Sequence, residues 1–127
     1  MPVFEKLRVW GEAVELVKEC FMLARGLPRE EGRVMGEQLR RAAISVAVNI
    51  AEGKGRGSPR EFRRFLHIAH GSLVEVEALV TLAVALDLSG PGRVAGVFRR
   101  AGALSRSLFA LRAALQRPPS ERPAPGA

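Results

Sequence analysis

The sequence predicts an all-α fold: an antiparallel, up-down-up-down four-helix bundle. Three observations carry this. Apolar residues recur at alternating steps of three and four in four separate stretches. Glycine and proline punctuate the chain between those stretches. No run alternates with the period of two that a half-buried strand requires. With 127 residues, 47% of them hydrophobic and 26% charged, the chain fits one globular domain with a core large enough to need no disulfide or metal. The expected division is a bundle domain over residues 1–117 and a disordered, proline-rich tail over residues 118–127.

The first segment carries the stripe Leu7, Trp10, Val14, Val17, Phe21 and Ala24. Gly26-Leu27-Pro28 ends it, because glycine suits a C-terminal cap and proline cannot continue the hydrogen-bond ladder. The second begins near Glu30 or Glu31, whose charges suit a helix N-terminus, and its stripe includes Met35, Leu39, Ala42, Val46 and Ile50. From Ala42 to Ala51 it is apolar almost all round, which predicts burial on several sides and contact with another subunit on part of that surface. The third opens on Ser58-Pro59-Arg60-Glu61. This is a capping box in which the Ser58 hydroxyl accepts from the Glu61 amide and the Glu61 carboxylate reaches back to the Ser58 amide, with proline at the first helical position. Its stripe is Phe62, Leu66, Ala69, Leu73, Val76, Val80 and Ala83, and it is expected to reach Leu88 before Ser89-Gly90-Pro91-Gly92. The fourth reads Val94, Val97, Ala101, Leu104, Leu108, Leu111 and Leu115, closed by Arg117-Pro118-Pro119.

The net charge of +7 favours an anionic partner, RNA or DNA. The charge is segregated. Residues 88–127 hold seven arginines and one acid, whereas residues 1–87 are nearly balanced at +1. Arg40, Arg41, Lys54, Arg56, Arg60, Arg63 and Arg64 gather in sequence around the second connection, and Arg93, Arg99, Arg100, Arg106 and Arg112 lie on the last helix. Two readings stand side by side: a phosphate-led, sequence-independent footprint, or a solvated face paired with acids of the first helix such as Glu12, Glu15 and Glu19. With no tyrosine and 6% aromatic residues, base-stacking platforms of the single-strand-binding type are not expected.

Other constellations are weaker. Gly53-Lys54-Gly55-Arg56-Gly57 before a helix start is a phosphate cradle or a plain turn, but it lacks the phosphate-loop spacing and has no strand before it. His67 and His70, at i and i+3, share a helix face without the further ligands a zinc site needs. Ser45, Asn49 and Glu52 share a face of the second helix, and Ser72 and Glu75 one of the third. These five are read as a polar network inside the corner that fixes helix register. The alternative is acid–base work by the carboxylates, and no nucleophile, metal or cofactor motif accompanies them. No catalytic residue and no cofactor is assigned. Cys20 is the one cysteine, so no internal disulfide forms, and a reducing cytoplasm is expected. The apolar runs are broken by polar residues and no signal peptide is read at the N-terminus, so no membrane partner is expected.

The opening "FEKLRVWGEAVELV" and the stretch "QLRRAAISVAVNIAEGKGRGSPREFRRFLHIAHGSLVEVEALV" closely resemble the small four-helix bundle proteins encoded by intervening sequences in bacterial 23S ribosomal RNA genes. The matching residues are Phe4, Leu7, Val9-Trp10 and Ala13; Gln38, Arg41, Ser45 and Asn49 to Gly53; then Arg56, Ser58, Glu61-Phe62, Phe65-Leu66, Ile68-Ala69, Gly71-Ser72, Glu75 and Glu77. The resemblance covers about residues 4–88, and the fourth helix matches in kind rather than by motif. It implies a ring-shaped homopentamer with a central channel. It also implies a likeness to the basic accessory proteins of diversity-generating retroelements, which associate with a reverse transcriptase and with nucleic acid. It supplies no catalytic residues. The expected function is a non-enzymatic, self-assembling module that contacts RNA or DNA. The alternative is a protein-interaction scaffold for a separately encoded nucleic-acid enzyme such as a reverse transcriptase.

Overall fold

The computed structural model describes residues 2–118 and 120. A 3-10 turn over Val3–Lys6 leads into four helices: α1 (Arg8–Arg25), α2 (Arg33–Gly55), α3 (Pro59–Ala85) and α4 (Pro91–Gln116). No strand occurs among the described residues. Helix α1 packs on α2, α2 on α3, α3 on α4, and α4 back on α1. One hydrophobic core fills the space between them. The expected tail over residues 118–127 lies outside the described residues except for Pro118 and Ser120.

The third stripe is buried along its whole length, from Phe62 to Ala83, with Phe65 added beside it. On α4 the upper stripe from Val94 to Leu108 is buried, whereas Leu111 and Leu115 are partly covered. Of the expected α1 stripe Leu7 and Ala24 are buried, but the seam between them is a different one. It runs Val9, Ala13, Leu16, Cys20 and Leu23, and Trp10, Val14, Val17 and Phe21 flank it half-buried. Both seams have heptad spacing, and the core takes the one containing the small residues Ala13 and Cys20, which let the helices approach. Helix α2 buries Leu39, Ala42, Ala43, Val46, Ala47 and Ile50 but leaves Ile44 and Val48 exposed at 44% and 51%. Within one chain it is therefore not covered all round.

Helix boundaries follow local chemistry. Helix α2 starts at Arg33, later than Glu30, because residues 28–32 make a separate turn closed by the Gly32 amide donating to the Pro28 carbonyl at 2.8 Å. The glycine-rich stretch after Asn49 is not a loop: α2 continues to Gly55, and the Arg56 amide still donates to the Glu52 carbonyl at 3.2 Å. Those amides serve the helix ladder, so the cradle reading lapses. Gly57 then takes a positive φ of 81°, and Ser58 caps α3 by accepting from the Glu61 amide at 3.1 Å. The reciprocal half of the capping box is replaced: the Glu61 carboxylate binds Arg64 at 3.1 and 3.3 Å.

Helix α3 ends at Ala85, short of Leu88, because Asp87 adopts a left-handed φ of 58°. The Leu88 amide donates to the Ala83 carbonyl at 2.9 Å and the Asp87 amide to that of Val84 at 3.0 Å. This is a Schellman closure with aspartate where glycine is usual. By length and composition α3 is also a helix apolar enough to cross a membrane. Polar interruption of the apolar runs thus does not exclude a span on composition. The packed side of α3 lies against α2 and α4, and its exposed side carries Ile68, Val74 and Leu82.

Burial pushes the Cys20 thiol up to about 12 from an ordinary value near 9.0, with the Glu19 charge adding to the effect. Above pH 9 the unfolded thiol ionises while the folded one keeps its proton. The unfolded state then binds fewer protons, and stability falls as pH rises between about 9 and 12, by at most about 1.4 kcal/mol per pH unit. Denaturation midpoints at pH 8, 9 and 10 are expected to show this slope in the native sequence and to lose it in Cys20→Ala. In urea titrations, Ser58→Ala is expected to lose about 1 kcal/mol, whereas Asp87→Gly is expected to gain about 1 kcal/mol by relieving the left-handed strain.

Candidate nucleic-acid interface

The corner between α2 and α3 is built on a close approach. A Cβ at Gly53 would stand 2.6 Å from the Cβ of Phe65 and 3.1 Å from Cδ1 of Phe62. Only a residue without a side chain lets the first turns of α3 lie so near the last turns of α2. The two phenylalanines then serve as platforms for cations. The Arg56 and Arg64 guanidiniums lie 4.9 and 4.6 Å from the Phe65 ring centroid, and Lys54 Nζ lies 5.7 Å from that of Phe62. Stacking of this kind orients a guanidinium while leaving its N–H edge open to acceptors; Arg64 already spends Nε and Nη2 on Glu61.

Along α3, Arg60, Arg63, Arg64 and His67 follow at spacings that share one face. Arg63 is tied across to α4: its Nε donates to the Arg112 carbonyl at 3.2 Å. Arg60, Glu61, Arg63, Arg64, His67 and Arg112 line an open cleft of about 600 Å³. The hydrogen bond from Arg64, ahead of the charges around it, holds the Glu61 carboxyl below the usual carboxylate range. The one acid in the cleft is therefore matched by one cation. The Nε of Arg112 is buried and meets no acceptor among the described residues.

The remaining basic residues stand elsewhere. Arg40 and Arg41 lie 13 or more residues before Lys54 on α2, about 20 Å along the axis. They do not join the corner, and Arg40 sits instead over Phe21 of α1 at 6.0 Å. Arg99 and Arg100 precede Arg112 by a similar distance. Arg99 is exposed, and Arg100 faces α1 with its Nη2 3.8 Å from Glu15. Pairing of α4 with acids of α1 thus occurs at one of the expected positions. Arg106 is exposed between the two groups. The basic residues read as one footprint are therefore distributed over separate surfaces, and the corner with its cleft is the densest.

The polar corner forms in part. The Ser45 and Ser72 hydroxyls are 2.9 Å apart, and the Asn49 amide donates to the Ser45 carbonyl at 2.8 Å and to its hydroxyl at 3.1 Å. These three side chains are half-buried, whereas Glu52 and Glu75 are exposed and their carboxylates make no hydrogen bond among the described residues. His67 is exposed and His70 half-buried, and no three metal-ligating side chains gather among the described residues. Sequence reading missed the phenylalanine platforms and the place of His67 and Arg112 in the cleft. The 60, 63, 64, 67 spacing held the α3 half of that information, but the crossing to Arg112 is tertiary.

In thermal or urea unfolding, Asn49→Ala is expected to lose about 1 kcal/mol, because it strips the Ser45 groups of a partner. Glu52→Gln is expected to be neutral within about 0.5 kcal/mol. A loss at Glu52 as large as that at Asn49 would contradict the placement.

Comparison with curated proteins gave no match. The family model described as 23S rRNA-intervening sequence protein matches residues 5–110, from within the first turn to the last third of α4. A match over most of the chain, on a four-helix, strand-free structure, settles the family: the chain belongs to the 23S rRNA-intervening sequence proteins.

Proposed function

We propose that the protein is a non-enzymatic, self-assembling module that contacts RNA or DNA phosphates through its basic surfaces, in the cytoplasm. The observation that carries this reading is the corner of α2 and α3. There Lys54, Arg56 and Arg64 are stacked on aromatic rings, and further arginines stand beside them with one acid, already paired. Stacked guanidiniums present N–H edges suited to phosphate, and such contacts are independent of base sequence. The positive end of α3 adds to the same field.

The finer architecture belongs to this proposal. The four helices run antiparallel, up-down-up-down. Supporting this, the start of α3 meets the end of α4 at Arg63 and Arg112, and the end of α1 meets the start of α4 near Gly26 and Arg93. The chains assemble into a ring-shaped homopentamer. Exposed Ile44 and Val48 on α2, with Val74 and Leu82 on α3, supply apolar surface for the contacts between copies. Light scattering is expected to give a mass about five times the 13.8 kDa of one chain.

A second reading is favoured by the same exposed apolar residues, together with Phe109 at 73%: a scaffold for a separately encoded nucleic-acid enzyme such as a reverse transcriptase. Fluorescence anisotropy of labelled RNA across a salt series separates the two. The nucleic-acid reading expects log K to fall linearly with log salt, by about 0.7 per single-strand phosphate neutralised, and to fall less steeply in Arg56→Glu/Arg60→Glu. Absence of binding at low salt would overturn it in favour of the protein partner.

A further inference from the structure

We infer that the cleft between the first two turns of α3 and the end of α4 is a discrete binding site for a phosphate group, formed by Arg60, Arg63, His67 and Arg112. The inference deepens the nucleic-acid reading, and rests on it only for the identity of the molecule that bears the phosphate.

Four observations converge. The site is concave: its volume of about 600 Å³ lies in the range of small-molecule pockets, whereas Arg41 and Arg99 are exposed single side chains. Its charge is uncompensated. Glu61 forms its ion pair with Arg64, and Arg60, Arg63 and Arg112 form no ion pair among the described residues. Its donors are held in place: Arg63 Nε is fixed by the Arg112 carbonyl at 3.2 Å, so the two Nη groups of Arg63 project from an anchored fork. Finally, Arg112 brings a third guanidinium to the same lining from the facing helix. Three guanidiniums and an imidazole suit a tetrahedral oxyanion, which accepts hydrogen bonds on several oxygens at once and takes charge-assisted bonds from arginine forks. Apolar ligands would leave these donors unpaired, and a single carboxylate offers two oxygens against the three or more of a phosphate. The shared chemistry is the phosphate group, whether free or at the end or along the backbone of a strand.

Isothermal titration of the full chain with inorganic pyrophosphate, at fixed ionic strength, tests the site directly. Saturable binding is expected, and Arg112→Gln and Arg60→Gln are each expected to weaken it by roughly tenfold or more, the loss of one charge-assisted hydrogen bond. Arg29→Gln, on the α1–α2 connection, is expected to leave it unchanged. Arg60 is exposed, so its variant keeps the test valid if Arg112→Gln unfolds. No saturable binding, or equal loss in Arg29→Gln, would overturn the inference. A second arm uses a short RNA with and without a 5′-phosphate. Competition between pyrophosphate and both RNAs assigns the site to backbone phosphates, and competition with the phosphorylated RNA alone assigns it to strand ends. Pyrophosphate binding without any RNA binding would keep the site and overturn the nucleic-acid reading. RNA binding that survives both variants, with no pyrophosphate binding, would do the reverse.

Discussion

The contact between Gly53 and the two phenylalanines of α3 is the constraint from which the rest of the basic corner follows. With 2.6 Å between a hypothetical Gly53 Cβ and the Phe65 Cβ, no side chain fits between the end of α2 and the start of α3. That proximity shortens the link to Gly57 and Ser58. The left-handed φ of Gly57 reverses the chain, and the Ser58 hydroxyl starts the next helix at once. Because the reversal is so tight, cations from both helices reach the same ring: Arg56 comes from the end of α2 and Arg64 from the second turn of α3. The electrostatic surface is thus a consequence of backbone packing. A looser corner would scatter the same residues.

The packing of the remaining helices extends this arrangement. Helix α4 lies along α3 so that its closing turns face the opening turns of α3, which places Arg112 beside Arg63. The core that fixes this register is aliphatic, from Val94 and Val97 through Leu104 and Leu108 against the Phe62 to Ala83 stripe. No polar or charged residue is wholly buried among the described residues. The Ser45–Asn49–Ser72 cluster is the polar link between α2 and α3, and it lies one to two turns inward of Gly53. Directional hydrogen bonds there set a single register in a contact that aliphatic packing alone would leave freer to slide.

Local signals in the sequence located the four helices, the Ser58 cap and the α3 stripe, because each depends on neighbours within a few residues. What depended on choosing between equivalent local options was not legible. Helix α1 offers two adjoining apolar seams, and only the partners decide that Ala13 and Cys20 face inward. The stretch from Gly53 looks like a loop, yet the helix ladder continues to Gly55, since glycine weakens a helix by about 1 kcal/mol per residue and packing at Gly53 offsets that. Asp87 stops α3 early by adopting a conformation that aspartate takes at modest cost. Glu52 and Glu75 share faces with the half-buried serines but are exposed. Arg40 and Arg41 are near the corner in sequence count and about 20 Å from it along a rigid helix. The family was legible from motif residues concentrated in α1 to α3, and the cleft was not, because it needs Arg112 from a helix 49 residues away in sequence from Arg63.

The account stands on the claim that phosphate contact is concentrated at this corner and not spread over every basic surface. The most direct measurement is a map of arginine side-chain Nε–H resonances as an RNA oligonucleotide is titrated into the labelled protein. The expected result is that Arg56, Arg60, Arg63 and Arg112 shift together and saturate at one concentration, with Arg40, Arg41 and Arg99 moving little. Uniform small shifts across all arginines, or shifts confined to Arg40, Arg41 and Arg99, would contradict it.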